Sequence, residues 1–175
     1  MTQLQTSFGS IRYYQNSDAE SLAHYANNRE VWINLRDGFP LPYTLENGRG
    51  YIDTVSRQNP HTSFAIASES EVIGGIGISI NEDVHRLTAE LGYWLGKPFW
   101  GKGIMTEAVK TFTDFCFVQY NLLRIYAEPY AYNPASCRVL EKAGFSLEGR
   151  MRCSVIKDGK ITDQLLYAKI YNQSS

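Results

Sequence analysis

The stretch WGKGIMTEA (residues 100–108) places two glycines around a lysine, directly before residues that favour a helix. Glycine allows unusual backbone angles and lets a ligand approach the chain with no Cβ in the way. The first amides of a helix have no acceptor within the helix, and the helix dipole adds partial positive charge at this end. The stretch therefore predicts either a helix N-terminus that binds a phosphate group or a glycine-rich corner between a strand and a helix.

Two common phosphate-binding signatures do not fit this stretch. A Walker loop requires G-x-x-x-x-G-K-[ST], and no glycine-lysine pair of the chain is followed by serine or threonine. A dinucleotide fingerprint requires G-x-G-x-x-G, and Thr106 stands where its last glycine belongs. The glycines of VIGGIGIS (residues 72–79) lie inside a predicted strand, where close strand packing explains them better. The sequence therefore lacks the motifs that would indicate nucleotide hydrolysis or hydride transfer.

The composition is that of one globular domain without a strong charge. The 175 residues are 43% apolar and carry a formal net charge of −1, which gives no electrostatic reason to expect nucleic acid or an anionic membrane as a partner. No stretch approaches the ~20 apolar residues of a membrane span, and the first residues do not resemble a signal peptide. The cysteines and histidines have no metal-binding spacing. We therefore expect a cytoplasmic protein without a metal site, nucleic-acid partner or membrane anchor.

Apolar periodicity, together with glycine, proline and capping residues, predicts an alternation of strands and helices. The predicted strands lie at 11–14, 63–68, 71–80, 89–96 and 122–130, and two more flank a turn at Asp158-Gly159. The predicted helices lie at 19–28, 29–35, 44–58, 104–120 and 134–143. This order predicts a mixed α/β fold around one largely antiparallel sheet.

Three blocks of sequence carry a family resemblance: ELGYWLGKPFWGKGIMTEAV, NPASCRVLEKAGF, and LEGRMR followed by a strand that bears a tyrosine. On these blocks the chain resembles the GNAT superfamily of N-acetyltransferases, and within it the RimJ/RimL-like branch of ribosomal-protein alanine acetyltransferases. The resemblance implies a single-domain acyl-CoA N-acyltransferase fold over residues 8–172, with helices flanking the mixed sheet. It also implies an enzyme that uses acetyl-CoA.

The glycine stretch corresponds to the pyrophosphate loop of this family, usually written Q/R-x-x-G-x-G/A, and the preceding strand to the one that binds the pantetheine arm. Aligned on Gly103, this chain has Trp100 in place of Gln or Arg and Met105 in place of the last small residue. Lys102 is either a phosphate ligand or a solvated loop lysine, and Asn133 is a cofactor ligand, a helix cap or both. By resemblance, the residues expected to bind the cofactor are Tyr93, Trp94, Leu95, Gly101, Lys102, Gly103, Ile104, Met105, Thr106, Asn133 and Ser136.

Acetyl transfer requires a neutral amine and a proton for the leaving thiolate. A peptide α-amine has a pKa of about 8, so a base or a water path has to remove a proton. Glu90 shares a strand face with Trp94 and is either this base or a surface glutamate. Many family members carry a tyrosine acid where this chain has Leu140. Ser136, one helical turn earlier, is the candidate acid by resemblance, or else only part of the helix cap.

The acceptor is the part that the sequence constrains least. By resemblance, the first helices and the last hairpin form its cleft, where Trp32, Phe39, Tyr43 and Tyr130 either contact substrate or pack in the core. A peptide or protein N-terminal amine is the expected acceptor, and a small amine such as an antibiotic, a polyamine or an amino acid is the alternative. The missing tyrosine also leaves open a non-catalytic sensor that binds acyl-CoA. We expect a monomer or a homodimer.

Overall fold

The computed structural model describes residues 3–171, so residue 172, the last of the predicted domain, lies outside the described residues. The helices are α1 Ala19–Ala26, α2 Arg29–Trp32, α3 Leu45–Ser56, α4 Ile104–Gln119 and α5 Pro134–Lys142. The strands are β1 Gln3–Thr6, β2 Gly9–Arg12, β3 Ser63–Ala67, β4 Val72–Ile80, β5 Thr88–Leu95, β6 Arg124–Ala127, β7 Ser146–Lys157 and β8 Lys160–Ile170.

The strands form one mixed sheet in the order β1-β2-β3-β4-β5-β6-β8-β7. Antiparallel pairing joins β1 to β2, β2 to β3, β3 to β4, β6 to β8 and β7 to β8. In contrast, β5 and β6 run parallel. The predicted fold class, a mixed and largely antiparallel sheet with flanking helices, is therefore confirmed.

The N-terminal region contains a strand that the sequence does not predict. The predicted first strand, 11–14, is shifted to β2, and β2 pairs with the preceding strand β1 across a tight turn. β1 gives no clear signal because Leu4 is its only apolar residue, while Gln3 and Gln5 are exposed. Among the predicted elements that are shorter than expected, α2 ends at Trp32 and gives way to turns. Strand β6 ends at Ala127, before Pro129, which has no N–H for a ladder.

Local polar residues set the starts of three helices. Asn28 Oδ1 accepts the Glu30 N–H at 2.8 Å before α2. Thr44 and Asn47 form a reciprocal capping box before α3, in which the Thr44 hydroxyl oxygen accepts the Asn47 N–H at 3.2 Å. Asn133 caps α5, whose first residue is a proline. The caps at Thr44 and Asn133 lie at helix starts that the sequence predicts, because each helix start requires acceptors for its first amides; the cap at Asn28 is not predicted.

The described residues fall into two compact units. Those within Met1–Gly77 and Tyr93–Ala108 form the first unit, and those within Ile78–Gly92 and Val109–Ser175 form the second. In the first unit, α1 and α3 bury Leu22, Ile52 and Val55 together with residues of β3 and β4. In the second unit, β7 and β8 form a long hairpin, and α5 packs on β7. Between residues 3 and 171, no helix is long and apolar enough to cross a membrane.

Candidate active site

Strand β5, which leads into the glycine stretch, is paired with β6 over only part of its length. The parallel register ends at Glu90 opposite Tyr126, and neither Leu91 nor Gly92 has a partner in β6. A strand without a neighbour on one side presents N–H and C=O groups at strand spacing to an extended ligand. The end of this register therefore suits the amide-bearing pantetheine arm that the resemblance places here.

The corner after β5 is held by the side chain of Trp100. The indole Nε1–H donates to the carbonyl oxygen of Leu95, the last residue of β5, at 2.7 Å. The N–H of Gly96 donates to the carbonyl oxygen of Ile73 in β4 at 2.8 Å. From the sequence, Trp100 is only a departure from the family pattern, because no local signal predicts that its side chain returns to the strand.

The two glycines of the loop have positive φ angles, 74° at Gly101 and 80° at Gly103. Residues with a Cβ rarely adopt such angles, because the Cβ comes too close to the backbone. An added Cβ would meet no other atom within 4 Å at either position, so the requirement concerns backbone shape rather than space. The carbonyl oxygen of Gly103 accepts the Glu107 N–H at 3.1 Å and so starts the hydrogen bonding of α4.

Three amides at the start of α4 have no backbone acceptor. The N–H groups of Ile104, Met105 and Thr106 donate to no carbonyl oxygen within the described part of the chain. The helix behind them has 16 residues, so its dipole adds positive potential at this end. Adjacent N–H groups after a glycine turn form a concave anion site. We call residues 101–106 the phosphate cradle, and their donors fit the pyrophosphate of coenzyme A.

Contacts with the first helices fasten the segment before the cradle. The ring of Phe99 packs edge-on against Tyr25 of α1, with centroids 5.1 Å apart. Lys97 forms an ion pair with Glu30, next to the start of α2. The ammonium group of Lys102 lies 5.6 Å from the centre of the Phe99 ring. Because Lys102 is exposed between the two glycines, both of its predicted roles remain compatible with its position.

A further contact joins the first turn of α4 to the turn between β1 and β2. The Glu107 carboxylate accepts the backbone N–H of Ser7 at 2.7 Å and also the Ser7 hydroxyl. The two residues are 100 positions apart in the chain, so the sequence gives no sign of this pair. The contact holds the negative charge of Glu107 against donors of the β1–β2 turn.

Three of the aromatic residues singled out from the sequence lie together in the first unit. The ring centroid of Phe39 lies 4.9 Å from that of Tyr43 and 5.7 Å from that of Trp94. Tyr43 is 5% exposed and belongs to the core of this unit, and burial raises the pKa of its hydroxyl to about 12. Trp32 lies instead beneath the guanidinium of Arg29, at 5.5 Å. Tyr43 therefore packs in the core, whereas Phe39 and Trp94 are only partly buried.

Helix α5 and its N-cap carry two polar residues that the resemblance assigns to cofactor binding, Asn133 and Ser136. Asn133 Oδ1 accepts the Ser136 N–H at 3.1 Å, so the predicted helix cap is confirmed. Ser136 is partly buried, and Leu140, one turn later, is fully buried. The family's tyrosine position is therefore part of the core in this chain, and Ser136 is the hydroxyl on the same helix face.

Glu90 and Tyr130 belong to the second unit. Glu90 is partly buried and lies opposite Tyr126 in the register of β5 and β6. Tyr130 is 8% exposed, and its backbone bridges to Gln164 of β8. Its ring lies 5.4 Å from that of Tyr132. Tyr130 is therefore packed just after β6 and is nearly buried, as Tyr43 is in the first unit.

Comparison with known proteins agrees with the geometry. Residues 10–146 match the acetyltransferase (GNAT) domain family. The chain is 37% identical over 131 residues to the probable N-acetyltransferase YjcK of Bacillus subtilis, covering 72% of each chain. It is 29% identical over 167 residues to the ribosomal protein uS5-alanine N-acetyltransferase of Escherichia coli, covering 90% of this chain and 85% of that one.

A solved structure with a bound donor shows the same fold. The microcin C7 self-immunity acetyltransferase MccE, in complex with acetyl-CoA and AMP, aligns with a TM-score of 0.80 at 25% identity, covering 93% of this chain and 92% of that one. Enzymes of this family take their acetyl group from acetyl-CoA, whose pyrophosphate the cradle fits. The chain belongs to the GNAT family and is an N-acetyltransferase.

Proposed function

We propose that this protein transfers the acetyl group of acetyl-CoA to the N-terminal α-amine of a peptide or protein. The observation that carries the proposal is the phosphate cradle, where three amides without backbone acceptors follow two glycines of positive φ. The acceptor class is supported by the relative named for the alanine of ribosomal protein uS5. A GNAT fold alone does not define the acceptor, because one fold serves many substrates.

The cradle is proposed to bind the donor through its backbone. The N–H groups of Ile104, Met105 and Thr106 donate to pyrophosphate oxygens, and such charge-assisted bonds are stronger than neutral ones. Lys102 adds positive charge at the edge of the loop. Backbone groups of Tyr93, Trp94 and Leu95 bond the amides of the pantetheine arm, and Asn133 and Ser136 keep their predicted roles as further ligands.

The proton transfers are assigned to one carboxylate and one hydroxyl. When bound, acetyl-CoA supplies the acetyl group as an activated thioester. The Glu90 carboxylate accepts the proton that the acceptor ammonium must lose, directly or through a water molecule. The Ser136 hydroxyl donates towards the sulfur as it leaves. Because serine is a weak acid, this hydroxyl relays a proton or stabilises the sulfur rather than acting as a strong acid.

The acceptor is proposed to contact the partly buried aromatic residues. Phe39 and Trp94 are partly buried in the first unit, and Trp32, the last residue of α2, is also partly buried, with one ring face against Arg29. Tyr43 and Tyr130 are nearly buried, so they are proposed to contribute packing, each within its own unit, rather than direct contact with the substrate. Rings of this kind contribute apolar area and specific geometry to peptide recognition.

A thiol-release assay with an acceptor panel tests the proposal. The panel contains peptides that begin with alanine or serine, the same peptides with an acetylated N-terminus as matched controls, spermidine and an aminoglycoside. The expected result is thiol release with the free α-amine peptides and none with their acetylated controls. Thiol release with spermidine or the aminoglycoside but with none of the peptides would show that the acceptor is a small amine and not a peptide N-terminus. Binding of acetyl-CoA without release for any acceptor would instead indicate a sensor.

We also propose the bounds of the catalytic domain, its location in the cell and its oligomeric state. We place the catalytic domain at 8–172 by resemblance. Its C-terminal extent is supported by β8, which adds Lys160–Ile170 to the sheet beyond the family match that ends at residue 146, while β1, Gln3–Thr6, extends the same sheet before residue 8. Removal of the residues after 146 deletes β7 and β8 and is expected to prevent folding.

A cytoplasmic monomer or homodimer is proposed, and light scattering measures which of the two forms in solution.

A further inference from the structure

Trp100 has a defined hydrogen-bond partner although its side chain is largely at the surface. The residue is 41% exposed, yet its indole N–H donates to the carbonyl oxygen of Leu95 at 2.7 Å. Leu95 is only 7% exposed, so water does not easily replace this donor. A buried carbonyl without a partner is costly, and the corner between β5 and the cradle therefore depends on the indole.

The bond completes a clamp on a single peptide unit. The carbonyl of that unit belongs to Leu95 and is held by Trp100, and its N–H belongs to Gly96 and donates to Ile73 of β4 at 2.8 Å. The peptide plane is thus fixed at both ends. Because a peptide unit is planar and stiff, fixing it sets the direction in which the chain leaves β5.

The same side chain acts on the entrance of the phosphate cradle. Trp100 directly precedes Gly101, whose φ of 74° opens the glycine turn. With its indole returned to Leu95, the backbone of Trp100 is extended, with ψ of 153°, and this sets the position of the Gly101 amide. Phe99 is held separately by Tyr25 of α1. Both residues before the cradle are therefore fixed by side-chain contacts within the protein itself.

We infer that Trp100 is a positioning residue, whose indole N–H pre-orders the phosphate cradle for the pyrophosphate of acetyl-CoA. The inference rests on the proposed function, because it requires that the pyrophosphate binds to these amides. Preorganisation increases affinity by reducing the conformational freedom that binding must remove. Since the indole does not touch the reacting atoms, its contribution is to the KM for acetyl-CoA and not to kcat.

Substitutions at position 100 separate the N–H from the ring. Trp100→Phe removes the donor, and 3-benzothienylalanine at this position replaces the N–H by sulfur while keeping the shape. Both changes are expected to let the corner relax in the free protein, so that acetyl-CoA has to restore it on binding; at the cost of about one hydrogen bond to a buried carbonyl, the Kd and KM for acetyl-CoA rise about tenfold, with kcat unchanged. Trp100→Gln restores an N–H donor and is expected to bind more tightly than Trp100→Phe. Val118→Ala, at a 72% exposed residue of α4, is the control.

Acetyl-pantetheine distinguishes positioning from general structure, because this donor has no pyrophosphate. The inference predicts that the two variants without the indole N–H, Trp100→Phe and the 3-benzothienylalanine variant, have a lower kcat/KM for acetyl-CoA. Their kcat/KM for acetyl-pantetheine is predicted to stay at the wild-type value. Equal losses with the two donors would show a merely structural role and overturn the inference, as would an unchanged KM for acetyl-CoA. Failure of the wild-type protein to bind CoA would be a different result, since it would overturn the proposed function and the inference with it.

Discussion

Replacement of Gly103 by alanine isolates the backbone requirement of the phosphate cradle. Gly103 has a φ of 80°, and its carbonyl oxygen accepts the first hydrogen bond of α4. An alanine held at this angle costs roughly 1–2 kcal/mol. No neighbouring atom lies within 4 Å of the added Cβ, so crowding adds nothing in the free protein.

The strain in this variant lowers either the free energy of unfolding or the affinity for acetyl-CoA. If the backbone keeps its angle, the free energy of unfolding falls by about 1–2 kcal/mol. If the backbone relaxes to negative φ, the Ile104 amide turns away, and acetyl-CoA has to restore the turn on binding. The Kd then rises by the equivalent factor of about 5–30. The two losses together are therefore expected to reach at least about 1 kcal/mol.

Gly50→Ala is the matched control for this measurement. Gly50 lies inside α3 with an ordinary φ, and an added Cβ again meets no atom within 4 Å. This change is expected to raise the free energy of unfolding by roughly 0.5–1 kcal/mol and to leave CoA affinity unchanged. Urea unfolding and isothermal titration calorimetry with CoA measure the two quantities. Wild-type stability combined with wild-type affinity in Gly103→Ala would refute the reasoning.

Three further substitutions test single side chains: two test the proposed catalytic residues Ser136 and Glu90, and one tests an ion pair of Asp163 in β8. Ser136→Ala is expected to lower kcat in the thiol-release assay while CoA still binds, and an unchanged kcat would remove Ser136 from the mechanism. Glu90→Gln is expected to alter the pH–rate profile, and a profile identical to wild type would end its role as base. The Cys153 N–H and the Arg150 guanidinium lower the pKa of Asp163, so its stabilisation is present at neutral pH and is lost as the pH falls through its folded-state pKa. Asp163→Asn is therefore expected to lower the Tm at neutral pH, and the difference should shrink below pH ~4; a constant difference in thermal unfolding would contradict this.

Much of the fold is readable from the sequence because its signals are local. The glycines and prolines mark the corners, the apolar periodicity separates strands from helices, and Thr44 and Asn133 stand at the helix starts. The glycine stretch predicts the helix N-terminus at the cradle for the same reason. Strand β1 is not predicted from the sequence, because Gln3–Thr6 has a single apolar residue. Its strand structure depends on pairing with β2.

The parts of the site that the sequence does not reveal are contacts made by folding. Trp100 looks like a replaced glutamine or arginine until its indole is seen on the Leu95 carbonyl. The bond between Ser7 and Glu107 joins residues 100 positions apart, and no periodicity reports such a pair. Tyr43 has the residue type of a substrate contact, and only its burial assigns it to the core.

Amide NMR of the ¹⁵N-labelled protein tests the phosphate cradle most directly. CoA and pantetheine, which lacks the pyrophosphate, are titrated separately. CoA is predicted to move the amide proton signals of Ile104, Met105 and Thr106 downfield, because each N–H gains a charged acceptor, whereas pantetheine leaves them in place. Saturation with CoA while these three signals stay unmoved would contradict the account.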